Sequence, residues 1–159
     1  MRWIWIDRFI EFEPGVKAVA VKNVSLAEEH LHDHWEAFPV MPASLMIEGT
    51  AQTAGILVGQ MRDFKENVIL AKITKATFDG VATPGDQLKY CVELDRIDEN
   101  GASTSGTVLK NDQPFGEVNL MFSHVTPENS TLGLPGENFV FTGQFERLVA
   151  PFTEGADAQ

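Results

Sequence analysis

The stretch Pro42–Asp63, PASLMIEGTAQTAGILVGQMRD, limits what this chain can fold into more than any other. It is rich in Ala, Leu, Ile and Met, and at ~3.6 residues per turn it is long enough for about five helical turns. Pro42 suits a first turn, where a missing N–H costs little. Arg62 falls near the far end, where a cation complements the helix dipole. Apolar side chains occupy nearly every face, the pattern of a helix buried all round. Such a helix requires a large apolar surface to wrap it. A bilayer does not fit: the nearly uncharged run 37–61 opens on FPVMP and carries Glu48 in its middle, and a central carboxylate is costly in hydrocarbon.

The flanking segments can supply that surface as strands. Phe9–Glu13 alternates in polarity and meets the turn signal EPG; the β-branched Val16–Val24 follows directly, which predicts a hairpin. Val68–Phe78 reads as a third strand. TPGD at 83–86 turns the chain into Gln87–Ile97, and DENG at 98–101 turns it again. Ala102–Lys110 and Pro114–Val125 complete a second hairpin across NDQ. The prediction is one α+β domain over residues 1–125, a long central helix wrapped by a curved antiparallel sheet. Residues 126–159 differ in character. TPENSTLGLPGEN is loop-like, and Phe139, Phe141, Phe145, Leu148, Val149 and Phe152 then form an apolar set. This C-terminal extension is expected to pack on the domain or on a dimer partner, with a lid over substrate as the alternative.

The bulk numbers narrow the function classes. A chain of 159 residues, 43% hydrophobic, suits one domain with a sizeable core. A formal net charge of −11 lacks the basic footprint that nucleic acid requires. MRWIWIDRFI is apolar, but Asp7 and Arg8 interrupt it and no small-residue cleavage site follows, so it is a poor secretory signal. The one cysteine, Cys91, precludes an intrachain disulfide. Its place in a strand pattern reads as a small buried hydrophobe rather than a nucleophile. The expectation is a soluble, cytoplasmic protein with no nucleic-acid or membrane partner.

Glu48 is the only formal charge between Glu36 and Arg62. An ionised glutamate is rarely buried without a partner. It therefore sits at an exposed edge, makes a structural hydrogen bond, or serves as an acid held in an apolar pocket. His34 lies in a short segment leading to the same helix. An imidazole is suited to proton transfer near neutrality. Taken alone, His34 reads as an exposed loop residue; paired with a lone acid inside the helix, it can face a shared cleft. The alternative is metal. His30, His32 and His34 would share one face if their segment were a strand, and with Glu48 they would resemble a catalytic zinc set. The surrounding acidic residues speak for a solvated loop instead, so no metal ligand is assigned.

The segment HWEAFPVMPASLMIEGTAQ, from His34 to Gln52, resembles the active-site motif of the β-hydroxyacyl-acyl carrier protein dehydratases of the FabZ type, HFPxxPVMPGxLxxEAxAQ. The similarity extends to IDRFIEFEPGVKAVAVKNVS, AKITKATFDGVATPGDQL and FGEVNLMF, and covers about residues 4–125. The resemblance implies a hot-dog fold and the removal of water from a 3-hydroxyacyl thioester, giving the trans-2-enoyl product of fatty acid or related acyl-chain synthesis. It implies His34 and Glu48 as the catalytic pair, meeting across a homodimer interface or within a higher oligomer of dimers, and no cofactor. It implies a substrate carried on acyl carrier protein. The thioester oxygen gains negative charge as C2 loses its proton, and a backbone N–H at the helix start can stabilise it. Pro42 has none, so Ala43 is the expected donor. Three departures stand out. Asp33 replaces the glycine before the histidine, Glu36-Ala37 replaces Pro-Gly, and Ala43 replaces the glycine at the helix start. Asp33 and Glu36 favour the charged form of His34 and oppose its use as a base. A non-catalytic hot-dog protein that binds acyl chains or a partner, and an acyl thioesterase, remain the other readings.

Overall fold

The computed structural model describes residues 3–33, 35–126, 138, 140 and 143–153. Six strands, β1 (Arg8–Glu13), β2 (Lys17–Asn23), β3 (Asn67–Phe78), β4 (Gln87–Ile97), β5 (Gly101–Lys110) and β6 (Gln113–Val125), form one antiparallel sheet in the order β1-β2-β4-β5-β6-β3. Among the described residues three helices accompany it: α1 (Glu29–Asp33), α2 (Ala43–Gln60) and α3 (Gly143–Thr153).

The two predicted hairpins form. β1 turns into β2 at Gly15, whose φ of 72° suits glycine. β5 turns into β6 through Asn111 and Asp112, with φ of 52° and 65°. A two-residue turn with both φ positive matches the right-handed twist of its strands, and Asn and Asp tolerate that region.

α2 is the axle of the fold. Met46 and every residue from Gly49 to Gly59 are buried, as all-round apolarity predicts. The helix touches β2, β3, β4, β5 and β6. One helix can meet five strands of a single sheet only if the sheet curls around it, and register shifts in β3, β4 and β5–β6 supply local bends. Inward residues alternate along the strands: Ala18 and Ala20, Leu88, Tyr90 and Val92, Val118, Leu120 and Phe122 all face the core.

The helix lies directly against the sheet at Gly49. A Cβ there would lie 2.5 Å from the Tyr90 ring and 2.7 Å from its hydroxyl. Glycine lets the helix backbone ride on that ring, which sets the depth of the residues beside it, Glu48 included.

Pro42 stands one place earlier than expected. Its ψ of 140° puts it at the N-cap, outside the helix. Its carbonyl accepts the N–H groups of Leu45 (3.0 Å) and Met46 (3.3 Å), so the first helical residue is Ala43.

After the sheet, the chain returns to the core. Val149 of α3 is buried, and Phe145, Leu148 and Phe152 pack against the core. Phe152 meets Phe12 of β1 with ring centroids 6.3 Å apart. Phe139 and Phe141 lie outside the described residues.

Candidate active site

Glu48 lies one turn and a half into α2, half-buried. Two N–H groups converge on one of its oxygens. The Trp3 indole Nε1 donates to Oε1 at 3.1 Å, and the Gln52 amide Nε2 donates to the same oxygen at 3.0 Å. The second oxygen, Oε2, accepts no hydrogen bond from the described residues. When the carboxyl is protonated, the proton belongs on Oε2, because Oε1 already faces two donors.

Gln52 is itself fixed. Its Oε1 accepts the backbone N–H of Trp5 at 2.8 Å, and its Nε2 also donates to the Trp3 carbonyl at 3.1 Å. These backbone partners decide which end of the amide is which. The extended segment before β1 thereby lies along α2 and binds it through Gln52. The i,i+4 spacing of Glu48 and Gln52 signals their contact in the sequence. Nothing in the sequence signals Trp3, which arrives from 45 residues away.

Below the carboxylate lies a cavity of about 130 Å³. Ala51, Gly55 and Ile56 of α2, Val68 and Leu70 of β3 and Phe122 of β6 form its walls, with Glu48 and Gln52 at the polar end. A carboxyl group beside an otherwise apolar cavity suits proton transfer to a mostly hydrocarbon ligand.

Ala43 opens the helix with its side chain exposed. No side chain caps this end. The first N–H groups of a helix have no partner within it and carry the positive end of the dipole. The Ala43 N–H accordingly has no acceptor among the described residues. It lies five residues before Glu48, which is about 7.5 Å along the axis.

His34 lies outside the described residues, so its distance to Glu48 is not part of the structure. The segment just before it is ordered by specific contacts. His30 and His32 occupy α1, a helical turn, rather than an alternating strand. His30 turns inward, 5.0 Å centroid to centroid and edge-on to Trp5, whereas His32 is exposed. The shared strand face on which the zinc reading depended is therefore absent. Leu31 is buried, and the Lys22–Glu28 ion pair ties the start of this segment to β2. Trp5 also stacks edge-on to Trp3 at 5.6 Å, so one pair of indoles links α1 to Glu48.

Beyond this site, His124 at the end of β6 is buried against Glu66, with Nδ1 to Oε2 at 3.2 Å. Burial pushes its pKa down, and the Glu66 carboxylate pulls the other way. Cys91 is half-buried, and burial pushes its thiol pKa up, away from the reactive thiolate.

The FabA-like domain family matches residues 3–114. The chain is 36% identical over 121 residues to the 3-hydroxyacyl-[acyl-carrier-protein] dehydratase FabZ of Thermoanaerobacter sp. strain X514, covering 76% of this chain and 85% of that protein. It is 32% identical over 126 residues to the protein of the same name from Chloroflexus aggregans, covering 79% and 88%. Among solved structures it is similar to the dehydratase heterocomplex ApeI:P from Xenorhabdus doucetiae, with a TM-score of 0.68 at 16% identity over 79% of this chain and 86% of that one. A hypothetical thioesterase protein with coenzyme A from Streptococcus pneumoniae gives a TM-score of 0.60 at 8% identity over 82% and 87%. At these identities the two structures share the hot-dog fold with this chain, and the similarity says nothing of this chain's chemistry.

Proposed function

The chain belongs to the FabA-like family, and from that premise we propose that it removes water from 3-hydroxyacyl thioesters carried on acyl carrier protein, with His34 and Glu48 as its acid–base pair. The observation that carries this reading is the state of Glu48. One of its oxygens is tied by Trp3 and Gln52, the other accepts no hydrogen bond from the described residues, and the side chain lines an otherwise apolar cavity.

The reaction asks for two proton movements. The C2–H bond breaks and its electron pair becomes the C2=C3 double bond, while the C3–O bond breaks with its own pair. A base takes the C2 proton and an acid converts the leaving hydroxide to water. His34 takes the first role. Glu48, protonated on Oε2, takes the second, and a proton returned from His34 through solvent restores both. The Ala43 N–H stabilises the thioester oxygen as charge develops on it, helped by the helix dipole. Replacement of the family's glycine by Ala43 keeps that donor. Its methyl group is exposed rather than packed over it.

We infer further that the working unit is a homodimer. β3 is a sheet edge of 12 residues, and Ala71–Thr77 within it are all exposed. A long uncovered edge is a ready template for another strand. Trp35 and Phe38, on the loop beside His34, are 57% and 51% exposed, apolar surface that a second copy can cover. The family resemblance supports a site completed by His34 of one copy and Glu48 of the other.

The test is purified protein with 3-hydroxyacyl-carrier substrates, followed for enoyl absorbance and for free thiol. Enoyl product without thiol is the expected outcome; free thiol would make it a thioesterase. His34→Ala and Glu48→Gln should each slow turnover on the order of 10²-fold or more while remaining folded. Near wild-type turnover in either variant would remove the acid–base assignment.

A further inference from the structure

We propose that the segment carrying Val140 and Phe145 is the end wall of the acyl-chain cavity and confines this protein to short acyl chains; this inference rests on the dehydratase reading and specifies its substrate. Both side chains line the same cavity as Glu48. Both lie beyond residues 3–114, the part matched by the family, and beyond β6, the last strand of the sheet.

The segment is fixed at the far end of the cavity. The Asn138 amide Nδ2 donates to the carbonyls of Phe64 (2.8 Å) and Glu66 (3.0 Å), between the end of α2 and the start of β3. Its Oδ1 accepts the Val140 N–H at 3.0 Å. Val140 is thereby held near the C-terminal end of α2, while Glu48 lies near the N-terminal end. Phe145 is carried by α3, which is anchored through buried Val149 and the contact of Phe152 with Phe12. Val140 and Phe145, each held by its own contacts, can exclude substrate atoms rather than merely drape over them.

Size then decides the chain length. The cavity holds about 130 Å³. An apolar cavity of ~150 Å³ takes up one benzene, so the part of the site that one copy supplies holds on the order of six carbons beside Glu48. A longer chain would have to displace Phe145 or Val140. Each methylene moved from water into an apolar site is worth roughly four-fold in affinity, so the wall controls a large part of the discrimination.

The test compares 3-hydroxyacyl substrates of short (C4 and C6) and medium (C10) chain. The wild type should favour the short chains. Phe145→Ala and Val140→Ala should each raise the C10-to-C4 ratio of kcat/KM by about ten-fold or more, since several additional methylenes become buried. Gly55→Ala fills the cavity from the opposite side, because its Cβ would meet Phe122 at 3.8 Å; it should lower the C6-to-C4 ratio. Affinity for non-reactive thioether analogues of the same lengths, measured by calorimetry, gives a readout that needs no turnover. An unchanged length ratio in both wall variants, in catalysis and in binding, overturns the proposal. A shifted binding ratio in a protein that dehydrates nothing would support the wall and sink the dehydratase reading instead. Should Phe145→Ala fail to fold, Val140→Ala and Gly55→Ala still decide, since they must move the ratios in opposite directions.

Discussion

Glu48 owes its geometry to two residues of very different visibility. Gln52 follows one helical turn later and is readable from the sequence; Trp3 is not, because only tertiary packing brings its indole to the carboxylate. Trp3→Phe keeps the aromatic bulk and removes one donor to Oε1. With that oxygen less firmly held, kcat should fall about ten-fold while the protein stays folded, the size of effect expected when one hydrogen bond of roughly 1 kcal/mol is lost. An unchanged kcat would show that Gln52 alone positions the acid. His124 supplies a second residue-scale prediction. Burial lowers its pKa, against the opposing pull of Glu66 and Asp98 and with the support of Arg62. Unfolding restores a value of about 6.5, so below that pH the unfolded chain binds the proton first. Stability should be constant above neutrality, fall as pH drops from about 6.5, and stop falling from this cause once pH passes the lower folded value. Urea midpoints at pH 7.5 and pH 5 should differ more in wild type than in His124→Gln. An equal pH response in the two would exclude His124 as its source.

At the scale of elements, two glycines of α2 should respond in opposite ways to the same substitution. Alanine is the better helix former by about 1 kcal/mol. At Gly49 that gain meets the fully buried Tyr90 ring at 2.5 Å, and overpacking a filled core costs ~1–3 kcal/mol. Gly49→Ala should therefore destabilise. At Gly55 the nearest atom is 3.8 Å away, so Gly55→Ala should stabilise by roughly 0.5–1 kcal/mol. Denaturant unfolding of both variants checks the pair; a stabilised Gly49→Ala would mean that the ring moves freely. The long elements were legible for simple reasons. α2 is apolar all round, and the strands alternate between recognisable turns. α1 reads as a solvated loop, because acidic residues surround its histidines and a five-residue helix carries too few residues to show a 3.6 period. Pro42 was misplaced by one position because the residue fits either side of a helix boundary.

For the whole molecule, the sequence made the wrapped helix readable, since a helix without a polar face has few ways to be covered. It could not show which segment closes the cavity, because chain packing alone brings Val140 and Phe145 to Glu48. The proposed homodimer can be examined by complementation. Inactive His34→Ala and Glu48→Gln proteins are mixed and allowed to exchange subunits. At full random exchange about half the dimers are mixed, each with one complete site of two, so activity should approach about a quarter of wild type. Exchange without recovery would place both residues within one chain, an arrangement compatible with the Trp3–Trp5 link from α1 to Glu48. The open edge of β3 then has a kinetic meaning. If two copies complete each other's sites along that edge, the enzyme is its own cofactor. At concentrations well below the dimer dissociation constant, the rate rises as the square of the amount of protein, and modest changes in expression become larger changes in flux.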